Sequence, residues 1–387
     1  MTNEELLQYR TKLVRDAANM EKPDRIPLAS FFVTWKILDA GYKMSEALSD
    51  FNIMEKCVRE HQEKYEFDML NDLGIRNAYR LSCALGSDTY MVNDEAESIS
   101  VKDIAIADPK DAPEIAANFN KYLWEKGMPA KFEWWGENTP LAKVQQVYGE
   151  LMQFMGFSFK IGAIMKNEYG VAQRVAPNPM PAVNIENVLG YLFGIKGTAV
   201  MMRRDKANLH AVLDAMDATS FNMQIQMLNG MQKNEAFCFD GLHAMLAHNF
   251  MSTSQWEEFY WPWLKKILDV HAEKGTNILI FSEGNILRFK DYFQDYPKGM
   301  ITMIPENDDV FEFRKELPNV SIMGGMPCAL LGHGTKEECL ARAEKVVAEL
   351  GTDGGLIFSQ DKMGSYRNDA NPENLKAVND FVRSYKI

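Results

Sequence analysis

Asn277-Ile278-Leu279-Ile280-Phe281-Ser282-Glu283-Gly284 decides the fold, together with Met300-Ile301-Thr302-Met303-Ile304, Val320-Ser321-Ile322-Met323 and Gly355-Leu356-Ile357-Phe358, which follow it at short intervals. Each run is short, almost wholly apolar and bounded by turn residues. A strand with one wet face alternates apolar and polar residues. A strand buried on both faces does not, and that pattern belongs to parallel sheets covered by helices. The intervening segments carry helical spacing: about 286–293, 309–316 and 335–350, the last with Thr335 and Glu338 placed as a capping box. A final helix starts at Asn371-Pro372, where Asn caps and Pro takes the first helical position. Just upstream, Ala236–Phe239 reads as a strand and Ser254–Lys274 as a helix with Ser254 and Glu257 as its capping box. The repeated strand–helix alternation predicts an α/β fold. Its unbroken length predicts a closed (β/α)8 TIM barrel; an open doubly wound sheet is the alternative, but no GxGxxG follows an early strand.

Toward the N-terminus, residues 3–20 read as an amphipathic helix, 25–32 as a short buried strand, 45–65 as helical and 67–70 as a second short strand. Residues 86–104 are polar and β-like, an inserted hairpin with Asp94-Glu95 at its tip. Residues 108–126 and 206–231 are helical, whereas 127–185, rich in Gly, Pro, Met and aromatics, yields no placement. No repeat, low-complexity stretch or Gly/Ser linker divides the chain. The expectation is one TIM-barrel domain over residues 1–387, with an N-terminal helix and an inserted β-hairpin.

The 42 Lys and Arg against 54 Asp and Glu leave a formal charge of −12. Such a surface repels phosphate backbones and anionic membranes, so neither nucleic acid nor membrane is an expected partner. No apolar run approaches the ~18–20 residues that span a bilayer, and Met1–Met20 lacks the layout of a signal peptide. The five cysteines are scattered without a CxxC pair, which predicts a reduced, cytoplasmic protein. The 24 methionines fill a core or line a pocket for a flat apolar ligand. The oligomeric state is left open.

In a (β/α)8 barrel, catalytic side chains follow the C-terminal ends of the strands. That rule selects Thr34 and Trp35; Asn71 and Asp72; Asp240 and His243; Ser282 and Glu283; Glu306, Asp308 and Asp309; Met326 and Cys328; and Asp361 and Lys362. Structural duties compete for several of these. Asp308 and Asp309 suit a helix cap, Asp72 a turn, His243 a satisfied rim position, Trp35 core packing and Cys328 an apolar filler. Glu283 stands apart: a carboxylate directly after a buried strand is costly unless it has a partner or a task. Glu306 follows by the same reasoning.

Pro23-Asp24-Arg25-Ile26-Pro27, Gly354-Gly355-Leu356-Ile357-Phe358-Ser359 and Asn371-Pro372-Glu373-Asn374-Leu375 resemble the uroporphyrinogen decarboxylase superfamily over most of the chain. The resemblance implies a barrel fold of that type. The decarboxylase itself carries an Arg-rich motif after its first strand, where this chain reads Phe32-Val33-Thr34-Trp35-Lys36. A tetrapyrrole with many carboxylates needs several Arg clamps, and this mouth offers Lys36, Arg76 and Arg80. The superfamily's zinc-dependent methyltransferases place His-x-Cys where this chain has Phe281-Ser282-Glu283, and a later Cys near Lys362; those ligands are absent.

A closer resemblance, to corrinoid-dependent O-demethylases of anaerobic aryl methyl ether degradation, rests on six stretches. They are Asp39-Ala40-Gly41-Tyr42, Lys64-Tyr65-Glu66-Phe67-Asp68, Tyr260-Trp261-Pro262-Trp263, Phe281-Ser282-Glu283-Gly284, Gly324-Gly325-Met326-Pro327 and Asp361-Lys362-Met363. This resemblance implies a methyltransferase that moves a methyl group from a guaiacol-, veratrol- or vanillate-like ether to Co(I) of a corrinoid protein. A tetrapyrrole decarboxylase is the alternative. Under that reading Glu283, His243 and Asp240 assist the departing phenolate. Trp35, Met326 and Tyr366 wall the ring, and Lys362 or Asn71 orients its substituents. With Glu306, the same Glu283, His243 and Asp240 are the alternative zinc set, Glu283, His243 and Glu306 foremost, through mostly hard ligands.

Overall fold

The computed structural model describes residues 1–102 and 105–387. Five strands, β5 (Gly241–Met245), β6 (Ile278–Ser282), β7 (Ile301–Pro305), β8 (Ser321–Met326) and β9 (Leu356–Gln360), form one parallel sheet in sequence order. Two short strands, β1 (Ala29–Ser30) and β2 (Met69–Leu70), pair in parallel. An antiparallel hairpin joins β3 (Tyr90–Asn93) to β4 (Ser98–Val101) around the expected tip. Single parallel bridges link Leu28 to Phe358, Met69 to Ala172 and Val175 to Phe239. The architecture is therefore mixed α/β with helices between the parallel strands. No helix among the described residues is long and apolar enough to cross a membrane.

The helices start where local chemistry says they should. In α1 (Asn3–Ala18), Thr2 and Glu5 form a reciprocal capping box. In α2 (Val310–Glu316), Asp309 accepts the N–H groups of Phe311 and Glu312. In α3 (Lys336–Leu350), the Thr335–Glu338 box is present, and Asn371 caps α4 (Pro372–Ser384) as the Asn-Pro pair predicts. The expected helix over 254–274 is two helices, Thr253–Phe259 and Trp261–Lys274, and its box is Ser252–Gln255 rather than Ser254–Glu257. Pro262 has no N–H to give and crowds the carbonyl four residues back, so the chain breaks at Tyr260. The expected strand at 236–239 is a loop, and β5 begins two residues after it. Residues 127–185 contain a 29-residue helix, Leu141–Tyr169, followed by the bridged segment at Ala172 and Val175.

Strand alternation sorts the core into two populations. Ala29, Phe31, Met69, Ala172, Leu279, Phe281, Ile304, Met323 and Ile357 pack with Val14, Ala17 and Ala18 of α1. Ile278, Ile280, Met303, Ile322 and Phe358 pack against the helix layer. Helix α1 sits at the N-terminal edge of the strands, where Gly355 N–H donates to Ala17 O and Arg15 pairs with Asp240.

Asp68 ties this edge together. Its carboxylate, 1% exposed, accepts from Arg10 Nε at 3.2 Å, from Arg25 Nη1 and Nη2 at 2.8 and 2.7 Å, and from Leu28 N–H at 2.8 Å. Removing one partner of a buried ion cluster strands the others. Asp68→Asn should lower the unfolding free energy by about 3–5 kcal/mol, read from the urea midpoint at unchanged slope. A loss under about 1 kcal/mol would show that solvent already satisfies both guanidiniums.

Candidate active site at the C-terminal strand ends

Leu279 and Phe281 of β6 belong to the population shared with α1, and Glu283 continues that face two residues on. Gly284 makes the turn that follows: its φ is +69°, and a Cβ there would lie 2.2 Å from Asn249 Oδ1. Gly284 N–H donates to Glu306 Oε2 at 2.7 Å, which holds the second carboxylate, at the end of β7, beside the first. Asn249 Nδ2 secures the Glu283 carbonyl at 2.8 Å. The Glu283 carboxyl itself meets no hydrogen-bond donor among the described residues. Burial raises its pKa, repulsion from Glu306 adds to the rise, and Arg76 opposes it.

His243 faces the other way. Its register partner on β6 is Ile280, which packs toward the helices. His243 Nε2 lies 3.0 Å from Tyr260 Oη, and Tyr260 donates to Glu186 Oε1 at 2.7 Å. Glu186 also accepts from Leu246 N–H at 2.9 Å and from Ala247 N–H at 3.0 and 3.1 Å, just past the end of β5. Burial lowers the His243 pKa to about 4, so the imidazole is neutral. Burial raises the Glu186 pKa to about 7 against the pull of its three donors, with a further push from Glu283.

Asp240 belongs to the opposite edge of the sheet. It pairs with Arg15 at 3.4 Å and accepts from Asn234 N–H at 2.8 Å. It stands level with Asn277, six residues before Glu283, so about 20 Å of strand separates the two. The expected trio of Glu283, His243 and Asp240 is therefore not one cluster. The cause is the shifted strand: with β5 starting at Gly241, Asp240 precedes it and His243 lies mid-strand. Glu283, His243 and Glu306 do not make a zinc set either, since the histidine points to the helix side. Among the described residues no group of three His, Cys, Asp or Glu is placed to share a metal ion. The donor set does not fit zinc.

Of the expected ring wall, Trp35 and Met326 are core residues. Trp35 is 2% exposed, donates from Nε1 to the carbonyls of Arg367 and Ala370, and packs on Phe32, His61 and Tyr65. Met326 is fully buried in the larger core population. Tyr366 is 50% exposed. Lys362 reaches Asp369 at 3.5 Å. The structural duties of Asp309, Asp72 and Cys328 hold. Asp309 caps α2; Asp72 accepts from Gly74 and Arg76 N–H and pairs with buried Lys36 at 2.7 Å; the Cys328 thiol is pushed up by burial.

Asn71 does line a cavity, of about 420 Å³, at the ends of β1 and β2. Phe31, Val33, Val171 and Ala172 form its apolar wall, and Asn71, Arg76 and Arg174 its polar one. Sequence reasoning missed Glu186 and Arg174. A signal for Arg174 existed: Val171-Ala172-Gln173-Arg174-Val175, between Gly170 and Pro177, has the bounds and composition of a short strand. Glu186 carried none, because only its packing beneath Leu246 and Ala247 distinguishes it from a surface glutamate.

Residues 187–385 match the sequence profile of the uroporphyrinogen decarboxylase (URO-D) family. The uroporphyrinogen decarboxylase of Anaeromyxobacter dehalogenans (strain 2CP-C) is 26% identical over 195 residues, 50% of this chain and 52% of that protein. The chain thus spans about half the length of the curated relative it matches. A methyltransferase from Methanosarcina mazei shares the fold, with a TM-score of 0.61 and 16% identity over 99% of this chain and 98% of that one. The profile match includes Glu283 and Glu306; Asn71, Arg76 and Arg174 lie outside it.

The Glu186 shift has a thermodynamic consequence. Its carboxyl titrates near 4.5 in the unfolded chain and near 7 in the fold. Between those values the folded state holds the extra proton, so this group's contribution to stability falls as pH rises through the window. Glu186→Gln should therefore gain stability relative to the wild type on going from about pH 5 to about pH 7.5, measured by urea midpoints. A difference independent of pH would place the Glu186 pKa in the ordinary range.

Proposed function

The chain belongs to the uroporphyrinogen decarboxylase family, and within it we propose the methyltransferase component of an O-demethylase, moving a methyl group from an aryl methyl ether to Co(I) of a corrinoid protein. We place it as a single domain over residues 1–387, working in the cytoplasm of an anaerobe. The carrying observation is Glu283: an unpartnered carboxyl at a strand end, on the face opposite the helices, with its pKa raised by burial and by Glu306. The bridges from Leu28 to Phe358, Met69 to Ala172 and Val175 to Phe239 support closure of the parallel segments into an eight-membered barrel. In that arrangement Glu283, Glu306 and the 420 Å³ cavity share one mouth.

Co(I) is a strong nucleophile, so the protein need supply none. It must hold the methyl carbon at the open mouth and stabilise the oxygen that departs. The C–O bond breaks with its electron pair moving to oxygen, and the protonated Glu283 carboxyl gives that oxygen its proton. Burial, and then like-charge repulsion from Glu306, raise the Glu283 pKa and so favour its acid form. A decarboxylase acting on a polycarboxylated tetrapyrrole would ask for several free cations at the mouth. Lys36 is committed to Asp72, and Arg80 to Glu150 and Gln153, which leaves Arg76 and Arg174 as the uncommitted cations at the cavity, fewer than many carboxylates require.

Purified protein with a reduced corrinoid protein should release the phenol from at least one member of a methoxyarene panel. Glu283→Gln should lower kcat by about 10²-fold or more. Because the acid form is the active one, the wild-type rate should fall as pH rises through the raised Glu283 pKa, and the variant should lack that limb. No demethylation across the panel would overturn the methyl-transfer reading, and carbon dioxide release from a porphyrinogen would replace it.

A further inference from the structure

We propose that the cavity at the ends of β1 and β2 is a carboxylate-binding subsite built by Arg174 and Arg76, which selects methoxy-aromatic acids over neutral methoxyarenes. This names the substrate class of the methyl-transfer reading and rests on it.

The charge balance of the cavity wall carries the inference. Arg174 follows Ala172 by two residues, which turns it to the same side of the bridged segment, and its guanidinium lines the cavity. It makes one hydrogen bond, from Nη1 to Asn71 O at 2.5 Å. A guanidinium carries five N–H donors, and among the described residues the others meet no acceptor. The carboxylate it senses is Asp72, already engaged by Lys36 Nζ at 2.7 Å. Arg76, at the rim, has no acceptor for its side chain among the described residues, although its backbone N–H reaches Asp72 at 3.2 Å. Asp72 thus faces both Lys36 and Arg174, while the Arg76 guanidinium acts on Glu283. Arg174 is partly buried and Arg76 exposed at the rim, so both guanidiniums keep donors open to a ligand that enters the cavity. A planar carboxylate is the partner a guanidinium fork takes two-handedly.

The rest of the cavity suits an aromatic ring. Phe31, Val33 and Val171 supply flat apolar wall, and a volume of about 420 Å³ accommodates a single substituted ring. Asn71 Oδ1 is buried without a partner while its Nδ2 donates to Ser30 O, so the orphan oxygen takes a donor from the ligand, such as a ring hydroxyl. Arg76 reaches electrostatically to Glu283. An acid anchored at the arginines therefore directs the far side of its ring toward the carboxyl that protonates the leaving oxygen.

Titration calorimetry of the full chain, without the corrinoid protein, tests this. The probes are 4-hydroxy-3-methoxybenzoate, 2-methoxyphenol and a polycarboxylated porphyrin. The expected result is binding of the acid at least about tenfold tighter than the neutral ether. Arg174→Gln and Arg76→Gln should each erase that preference, weakening the acid about tenfold more than 2-methoxyphenol. Should Arg174→Gln fail to fold, the rim residue Arg76 carries the test. Equal affinity for acid and neutral ether, an unchanged acid affinity in Arg76→Gln, or binding of the porphyrin in place of the acid would each overturn the subsite. Acid preference without demethylation sustains the subsite and counts against methyl transfer alone. Demethylation that favours the neutral ether counts against the subsite alone.

Discussion

Side-chain alternation along strands buried on both faces governs this molecule. Each residue on β5 to β9 must point toward the helices or away from them, and the parallel register makes neighbouring strands agree. Leu279 and Phe281 commit Glu283 to the face that carries Ala172 and Met323, so the carboxyl ends among other strand-end polar groups. The same rule, applied through Ile280, turns His243 into the helix layer. A shift of one residue would exchange these fates.

Two covalent details then finish the strand ends. Pro262 breaks the helix at Tyr260 and leaves its hydroxyl between His243 and Glu186. Gly284 reverses the chain where no Cβ fits and turns its N–H onto Glu306. The first produces a buried hydrogen-bonded chain that ends in a carboxyl poised near neutrality. The second sets two carboxylates side by side, so that burial and repulsion act together on Glu283.

The strand ends divide electrically. Glu283 and Glu306 follow β6 and β7, and Glu186 packs against the backbone that follows β5, while Arg76 and Arg174 stand at the cavity beside β2. Glu283 and Glu306 lie in the part of the chain that matches the family profile, and Glu186 and the cationic pair lie outside it. That division suits a shared leaving-group chemistry combined with a ligand preference particular to this chain.

From sequence alone the α/β class, the parallel strands β6 to β9, the hairpin, and the caps at Thr335, Asp309 and Asn371 are legible, because each depends on neighbours within a turn or on a short run bounded by turn residues. Glu283 is legible for the same reason: a carboxylate against an apolar run is a local anomaly. What tertiary structure alone decided is which side chains meet. Asp240 and Glu283 are both carboxyl side chains that adjoin a buried strand, yet they sit at opposite edges because β5 starts at Gly241 rather than at Ala236. Trp35 and Met326 read equally well as ligand walls or core, and packing placed them in the core. Glu186 and Arg174 gain their character from Leu246, Ala247, Tyr260 and Asn71. All four lie roughly sixty to a hundred residues away along the chain, and burial beside such distant partners is a property no local pattern encodes.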